Sequence, residues 1–326
     1  LSDWSSDVCS SDLDGEALMV LRKEFPHLKT LELPSYQIEY AKDGADFKWK
    51  MLKNMPKMMD AILEEKKIVK KWVKEFNISG IISDNRLGVF SKKVPCVFIT
   101  HQLNVLTGNT TWITSKLHQH IIKKYDECWV PDYEEKPNLT GKLGHLKSPI
   151  EHIRYIGPLS RFEKKELPIK YDLMVILSGP EPQRGILEQQ LRETIGPSEG
   201  NVVFVCGKMA LQQSKIEIDN VTFYNFMTSE QLEKTFNESA KVLCRSGYTT
   251  IMDLAKLEKK AFLIPTPGIY EQEYLAKRLK IKGLFPSATQ DDFTFEMLAE
   301  IETYESASLK NEPIHWKNLL CLFEKQ

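Results

Sequence analysis

Apolar residues recur along this chain at two alternating spacings. At positions 17, 18, 21 and 25 they fall on one face of a helix, and residues 28 to 33 then alternate as a short strand that Pro34 ends. Residues 46 to 76 carry long helical patterns through Met51, Met55, Met59, Ile62, Val69 and Val73; a methionine-rich face of this kind suits a core or an acceptor groove better than a cofactor. From there compact apolar runs predict strands at 79–83, 94–100, 127–130 and 153–157, most of them separated by helical patterns. A charged stretch, Phe162 to Lys170, lacks a sustained apolar period and reads as a linker. A second series follows, with strands at 172–177, 202–206, 221–224, 241–244 and 261–264, and helices at 184–194, 229–238, 248–258 and 271–280. Strands alternating with helices imply parallel sheets covered on both faces. The expectation is therefore an α/β protein of two Rossmann-like, doubly wound domains, 14–161 and 171–326, joined by 162–170 and facing across a cleft. Residues 291 to 325 add two helical patterns, the second opened by Pro313 and carrying Trp316, Leu319, Leu320 and Phe323 on one face.

The first thirteen residues, LSDWSSDVCSSDL, fit neither period. They match, nearly residue for residue, one reading frame of a common short-read sequencing adapter, and are set aside from fold reasoning. The chain then opens at Asp14 directly into a helix, so the first domain is expected to lack its opening strand and loop.

Composition narrows the chemistry. A formal net charge of -1 over 326 residues argues against a general nucleic-acid binder. The basic runs Lys66-Lys67, Lys70-Lys71 and Lys123-Lys124 read as solvated helix faces, with peripheral membrane contact as the functional alternative. Six scattered cysteines, without a CxxC pair or a histidine at ligand spacing, support neither a zinc site nor a disulfide framework and suit a reducing cytoplasm. No apolar stretch is long enough to cross a bilayer, and residues 1 to 20 lack the pattern of a secretory signal. No metal or cofactor is called for.

In a doubly wound sheet, ligands sit outside the carboxyl ends of the strands. Three loops of the second domain carry small and polar residues there. The first runs through Ser178 and Gly179 to Arg184, where the glycine permits close backbone approach and the guanidinium is a candidate phosphate partner. The second, Arg245-Ser246-Gly247-Tyr248-Thr249-Thr250, turns a buried strand into a helix whose first amides lack intrahelical partners and whose positive end favours an anion. Asp253, one turn on, is placed for ribose hydroxyls. The bland account makes Ser246 an N-cap and Gly247 a turn residue. The third loop leads through Pro265 and Pro267 to Glu271 and Gln272, which suit sugar hydroxyls needing donors and acceptors. Gly207 ends the 202–206 strand, and Phe226-Met227 follows the 221–224 strand as a candidate seat for a flat base.

The series Arg245-Ser246-Gly247-x-x-Thr250-x-x-Asp253, then Pro265-x-Pro267, then Glu271-Gln272-x-x-x-Ala276, resembles the donor half of glycosyltransferase family 28, in its MurG-like type, over about residues 171–282. The resemblance implies a GT-B fold and transfer, with inversion, of a sugar from a UDP-sugar, N-acetylglucosamine being the expected sugar. It implies that the Ser-Gly turn holds the diphosphate, that Asp253 (for the usual Glu) holds the ribose, and that Gln272 contacts the sugar. Leu275 stands where the family has an Asn, which leaves the sugar open. Thr100-His101-Gln102-Leu103-Asn104 is similar to the family's cleft-facing stretch. With Asp84, Asn85 and Arg86, His101 and Asn104 are candidate contacts to a saccharide or lipid-linked acceptor, and His101 is a candidate for proton transfer. The family's Gly-rich loop with its own histidine has no counterpart here, so the main base is expected to be missing. Two rivals stay open: a UDP-N-acetylglucosamine 2-epimerase on the same fold, and a non-catalytic nucleotide-sugar binder.

Overall fold

A computed structural model describes residues 8–11, 22–34, 47–148, 150–195, 200–305 and 314–324. Two strands open the chain, β1 (Val8–Ser11) and β2 (Lys29–Glu32), paired in parallel with Val8 opposite Lys29. The stretch set aside as adapter-like thus contributes a strand. Main-chain pairing is nearly blind to sequence, and β2 offers an open edge. Residues 22–24 are helical, as expected, and the rest of the predicted 14–25 helix lies outside the described residues.

The long helix α1 (Phe47–Glu75) follows, its apolar face set by Ile62, Val69 and Val73; the side chains at 47–56 and 58 lie outside the described residues. It packs on a four-stranded parallel sheet, β3 (Ile81–Asp84), β4 (Cys96–Ile99), β5 (Glu127–Val130) and β6 (Ile153–Tyr155), in that spatial order, with α2 (Thr111–Ile122) between β4 and β5. Cys96, Val97, Phe98, Cys128 and Val130 are fully enclosed, as central strands covered on both faces must be.

The second sheet has six strands: β7 (Tyr171–Ile176), β8 (Val202–Val205), β9 (Lys215–Ile218), β10 (Val221–Tyr224), β11 (Ser239–Cys244) and β12 (Lys260–Leu263). Their order is β12-β11-β7-β8-β10-β9, parallel except for β9, which pairs antiparallel with β10. Sequence missed β9. Its four residues are all exposed, so no buried face imposed an apolar run. Helices α3 (Gln183–Ile195), α4 (Ser229–Asn237), α5 (Tyr248–Lys256) and α6 (Tyr270–Ile281) cover the sheet. A capping box of Thr228 and Gln231 starts α4.

Two boundaries differ from expectation. Phe162 is buried against Phe236, their rings 5.6 Å apart, and the amides of Lys165 and Lys170 donate to Asn237 Oδ1 and Glu238 O. The linker is therefore strapped to the second domain from Phe162 onward; one aromatic anchor does what no periodicity announced. The chain also returns to the first domain. After a 3-10 segment at Phe295–Thr303, α7 (Trp316–Leu320) and the turn Cys321–Phe323 set Leu319 against Val97, Trp129 and Ile156. Gly80 makes room for this docking, since a Cβ there would lie 2.1 Å from the Phe323 ring. Trp316 stays outward, 39% exposed. Pro313 lies outside the described residues.

The domains also meet directly. Arg278 of α6 donates to the carbonyls of Asn138 and Leu139 and to Asn138 Oδ1, and Tyr274 accepts from the Lys142 amide. Gly141, at φ +56, lies under that pair, where a Cβ would come within 2.5 Å of both side chains.

Candidate functional site

Strand β11 buries Val242, Leu243 and Cys244, and its carboxyl end releases the chain into Gly247, the N-cap of α5. Gly247 has φ −67 and ψ 141, and a Cβ there would meet no atom within 4 Å. The leading amides of α5 have no intrahelical partner, and the space beside its N-cap is open. Thr249 is exposed and Thr250 half-buried at its rim. Because β12 and β7 flank β11, their loops stand on either side. From β7 come Ser178, half-buried, and Gly179, at φ +96. From β12 comes Thr266, which sequence had not singled out. It is 2% exposed, and among the described residues its hydroxyl has no hydrogen-bond partner; it lies 3.8 Å from where a Gly179 Cβ would stand.

Several predicted donor residues do other work. Arg245 is 1% exposed and turns away from the helix start: it donates to Ile264 O, Pro265 O, Gln183 O and Gln290 Oε1, and burial lowers its pKa to about 10. It ties the three loops together from beneath rather than reaching a phosphate. Ser246 is likewise enclosed, its hydroxyl donating to Gln272 O, and Gln272 Oε1 accepts from the Thr266 amide. Arg184 pairs with Glu181 and donates to Gly207 O at 2.5 Å; Gly207 has φ +65, and a Cβ there would lie 2.3 Å from Leu177 O. Phe226 is buried under the Lys23 ammonium, 4.4 Å from its ring centroid, and its carbonyl accepts from Gln213. Met227 packs against the second-domain core and accepts from Thr235. Leu275, at the family's Asn position, is fully buried in that core.

Asp253 is 8% exposed and accepts from Ser160 Oγ, in the chain between the domains, at 2.7 Å. Burial raises its carboxyl to about 6, against the opposing effect of that hydrogen bond.

On the acceptor side, His101 is the residue that reaches the cleft. Its ring stacks on Tyr248, the first residue of α5, with centroids 4.6 Å apart and planes at 18°. Its Nε2 lies 2.6 Å from Glu271 Oε1, and since a carboxylate only accepts, Nε2 carries the hydrogen. Gln102 donates to the other oxygen of Glu271. The Tyr248 hydroxyl, buried, donates to Pro131 O at 2.7 Å. Asp84 stands at the end of β3; surrounding protein pushes its carboxyl above the usual range, and His101 opposes that rise. Asn85 takes φ +54 and accepts from Thr100. Two acceptor candidates are structural instead. Arg86 is 7% exposed and ion-paired with Glu65 of α1, while Asn104 holds the carbonyl of Lys142. Both partnerships span more than twenty residues of sequence, which local pattern does not register. Among the described residues no cluster of His, Cys, Asp or Glu suits a metal.

Known proteins share the sequence pattern of the second domain and the fold. The glycosyltransferase family 28 C-terminal domain matches residues 183–313. The UDP-N-acetylglucosamine--N-acetylmuramyl-(pentapeptide) pyrophosphoryl-undecaprenol N-acetylglucosamine transferase of Haemophilus ducreyi is 23% identical over 255 residues, 75% of this chain and 68% of the relative. The enzyme of the same name from Baumannia cicadellinicola is 26% identical over 263 residues, 75% of this chain and 67% of its own length. The solved glycosyltransferase of kitacinnamycin superposes with a TM-score of 0.55 at 11% identity, covering 97% of this chain and 86% of that one. CalG4, the calicheamicin glycosyltransferase, does so at 0.53 and 10%, covering 91% and 81%. Residues 183–313 thus match a glycosyltransferase family 28 C-terminal domain, the fold is GT-B, and the chain is a glycosyltransferase similar to the MurG-like transferases.

Proposed function

We propose that this enzyme transfers N-acetylglucosamine from its UDP-sugar, with inversion, to a saccharide or lipid-linked acceptor of the sort named for its relatives. The observation that carries this reading is the open space at Gly247, the residue that caps the start of α5. A diphosphate seated there would meet the leading amides of α5, which stabilise the charge that develops on departing UDP by electrostatics that need no metal. Thr249 and Thr250 add hydroxyl donors at the rim.

A second feature supports a membrane-borne acceptor. Trp112, Ile113 and Leu117 of α2 are at least half exposed, and Met59 and Leu63 of α1 lie outward too. An apolar pocket of about 150 Å³ opens between these helices, with Lys66 and Lys124 among its lining residues; it lies on the first domain, away from the α5 start. Apolar side chains amid lysines suit an anionic lipid surface.

Calorimetry with UDP and UDP-N-acetylglucosamine, followed by UDP release with and without a lipid-linked acceptor, tests the reading. Binding of UDP but not of ADP, and release that rises with acceptor, is the expected result. Conversion of the donor alone to its epimer would hand the assignment to the 2-epimerase reading. Co-sedimentation with anionic but not neutral vesicles, lost on Trp112→Ser with Leu117→Ser, is expected for the lipid-facing surface.

A further inference from the structure

In the cleft a hydrogen bond joins side chains of opposite domains, His101 from the loop after β4 and Glu271 from the start of α6. Both groups are mostly buried, at 26% and 21% side-chain exposure, so their contact is little screened. Gln102, also from the first domain, holds the second carboxylate oxygen, which fixes Glu271 in one orientation. The ring plane is fixed independently by Tyr248, which is itself anchored to Pro131. Among the described residues no group hydrogen-bonds the other ring nitrogen, Nδ1.

That arrangement has chemical content. With Nε2–H committed to a carboxylate, Nδ1 is left as the lone-pair nitrogen. The ring rests on the first residue of the helix whose amides front the proposed diphosphate site. On the donor-site reading, the anomeric carbon bonded to that diphosphate belongs to the α5 side of the cleft, to which stacking on Tyr248 holds the imidazole.

We propose that His101 is the general base of the transfer and that Glu271 is its positioning residue, supplied across the cleft so that the base is complete only when the domains are closed. The proposal rests on the donor-site reading above. In the step, the acceptor hydroxyl gives its proton to Nδ1 as its oxygen bonds the anomeric carbon. The bond from that carbon to the β-phosphate oxygen breaks, and UDP leaves with the electron pair. The imidazolium, steadied by Glu271, then returns its proton to water. Glu271 thereby acts through His101 rather than on the sugar, and the pair joins base assembly to domain closure.

Four titratable groups face His101: Glu271 on α6, Asp84 at the end of β3, His118 on α2 and Tyr248 on α5. Burial holds His118 neutral, with its pKa lowered to about 4, and raises the Tyr248 phenol well above its ordinary value. Glu271 and Asp84 are therefore the groups around the imidazole that can carry negative charge.

The test is UDP release from UDP-N-acetylglucosamine by the intact chain, with water and with the relatives' lipid-linked acceptor, alongside calorimetry with UDP. His101→Ala is expected to lower kcat by about a hundredfold or more and to flatten the rising limb of the pH profile. Glu271→Gln keeps an acceptor for Nε2–H, so it is expected to lower kcat about tenfold, with donor KM changed less than roughly threefold and the rising limb moved to lower pH. Glu271→Asp is expected to restore the limb toward its original position. A Glu271→Gln enzyme with raised donor KM and an unmoved limb would overturn the proposal, because it makes Glu271 a sugar contact. A His101→Ala enzyme with near-normal kcat overturns it as well. If the wild-type chain binds UDP yet releases none with either acceptor, the base assignment falls and the nucleotide site stands. If it binds no UDP, the reading beneath both falls.

Discussion

The open space before α5 makes Gly247 the position where a single change separates ligand binding from folding. Gly247→Asp places a carboxylate in that space. The backbone tolerates it, since φ −67 suits any residue and no atom lies within 4 Å of the new Cβ. Aspartate is also among the better N-cap residues, so stability is expected to hold or to rise by a few tenths of a kcal/mol. Binding is another matter. A carboxylate about 4 Å from a phosphate charge is opposed by roughly 4 kcal/mol at an effective dielectric near 20. Halving that for a half-buried position open to solvent leaves about 2 kcal/mol, or roughly a thirtyfold rise in the Kd for UDP. Gly247→Asn has nearly the same shape without the charge and is expected to weaken UDP only a few-fold. Calorimetry on the three proteins, with thermal melts to confirm folding, makes the comparison. Equal UDP affinity in the Asp and Asn variants, both folded, refutes a diphosphate at the start of α5.

Arg245→Met is expected to destabilise the second domain by at least about 3 kcal/mol, because four buried acceptors lose their donor; denaturant midpoints read this, and the folded fraction should keep its UDP affinity within a few-fold. Asp253 holds its proton up to about pH 6 when folded but only to about 3.8 when unfolded, so stability falls as pH rises through that window, by at most about 3 kcal/mol, and is level above it. Asp253→Asn is expected to remove that slope in urea melts between pH 4 and 7; an unchanged slope would assign it to another group. Tyr248→Phe leaves the buried Pro131 carbonyl without this donor and should cost about 1–2 kcal/mol in the same melts, with the α5 amides and UDP binding intact.

The alternation of periods three to four and two was enough to place almost every helix and strand of both sheets, because each central strand is buried on both faces and each covering helix on one. What escaped was whatever burial does not mark. Strand β9 is exposed throughout, and the strap at 162–170 is held by the Phe162 ring and by hydrogen bonds to Asn237 and Glu238. At the site, the turn from β11 into α5 was legible because Ser-Gly ahead of a helix is a local signal. The direction of a side chain is not local. Arg245, Ser246, Arg184, Arg86 and Asn104 looked available for ligands and are all engaged with protein groups. Thr266, hidden between two prolines, was overlooked although its hydroxyl lacks a partner.

These engagements brace the loops of the proposed donor site. Arg245 and the Ser246–Gln272–Thr266 chain of hydrogen bonds lock three neighbouring loops at the carboxyl edge of β12, β11 and β7. Amides presented from such a frame need no rearrangement when charge develops on a leaving group, which is where preorganised dipoles have their largest effect. The acceptor half is held differently, by the docked α7, by the Arg278 contacts to the 138–142 loop, and by side chains that meet in the cleft. Polar contacts of this kind are typical of interfaces at which domains move relative to one another. On the proposed mechanism, a braced donor site and an imidazole contributed from the other domain suit a reaction whose proton acceptor should be in place only once both substrates are enclosed.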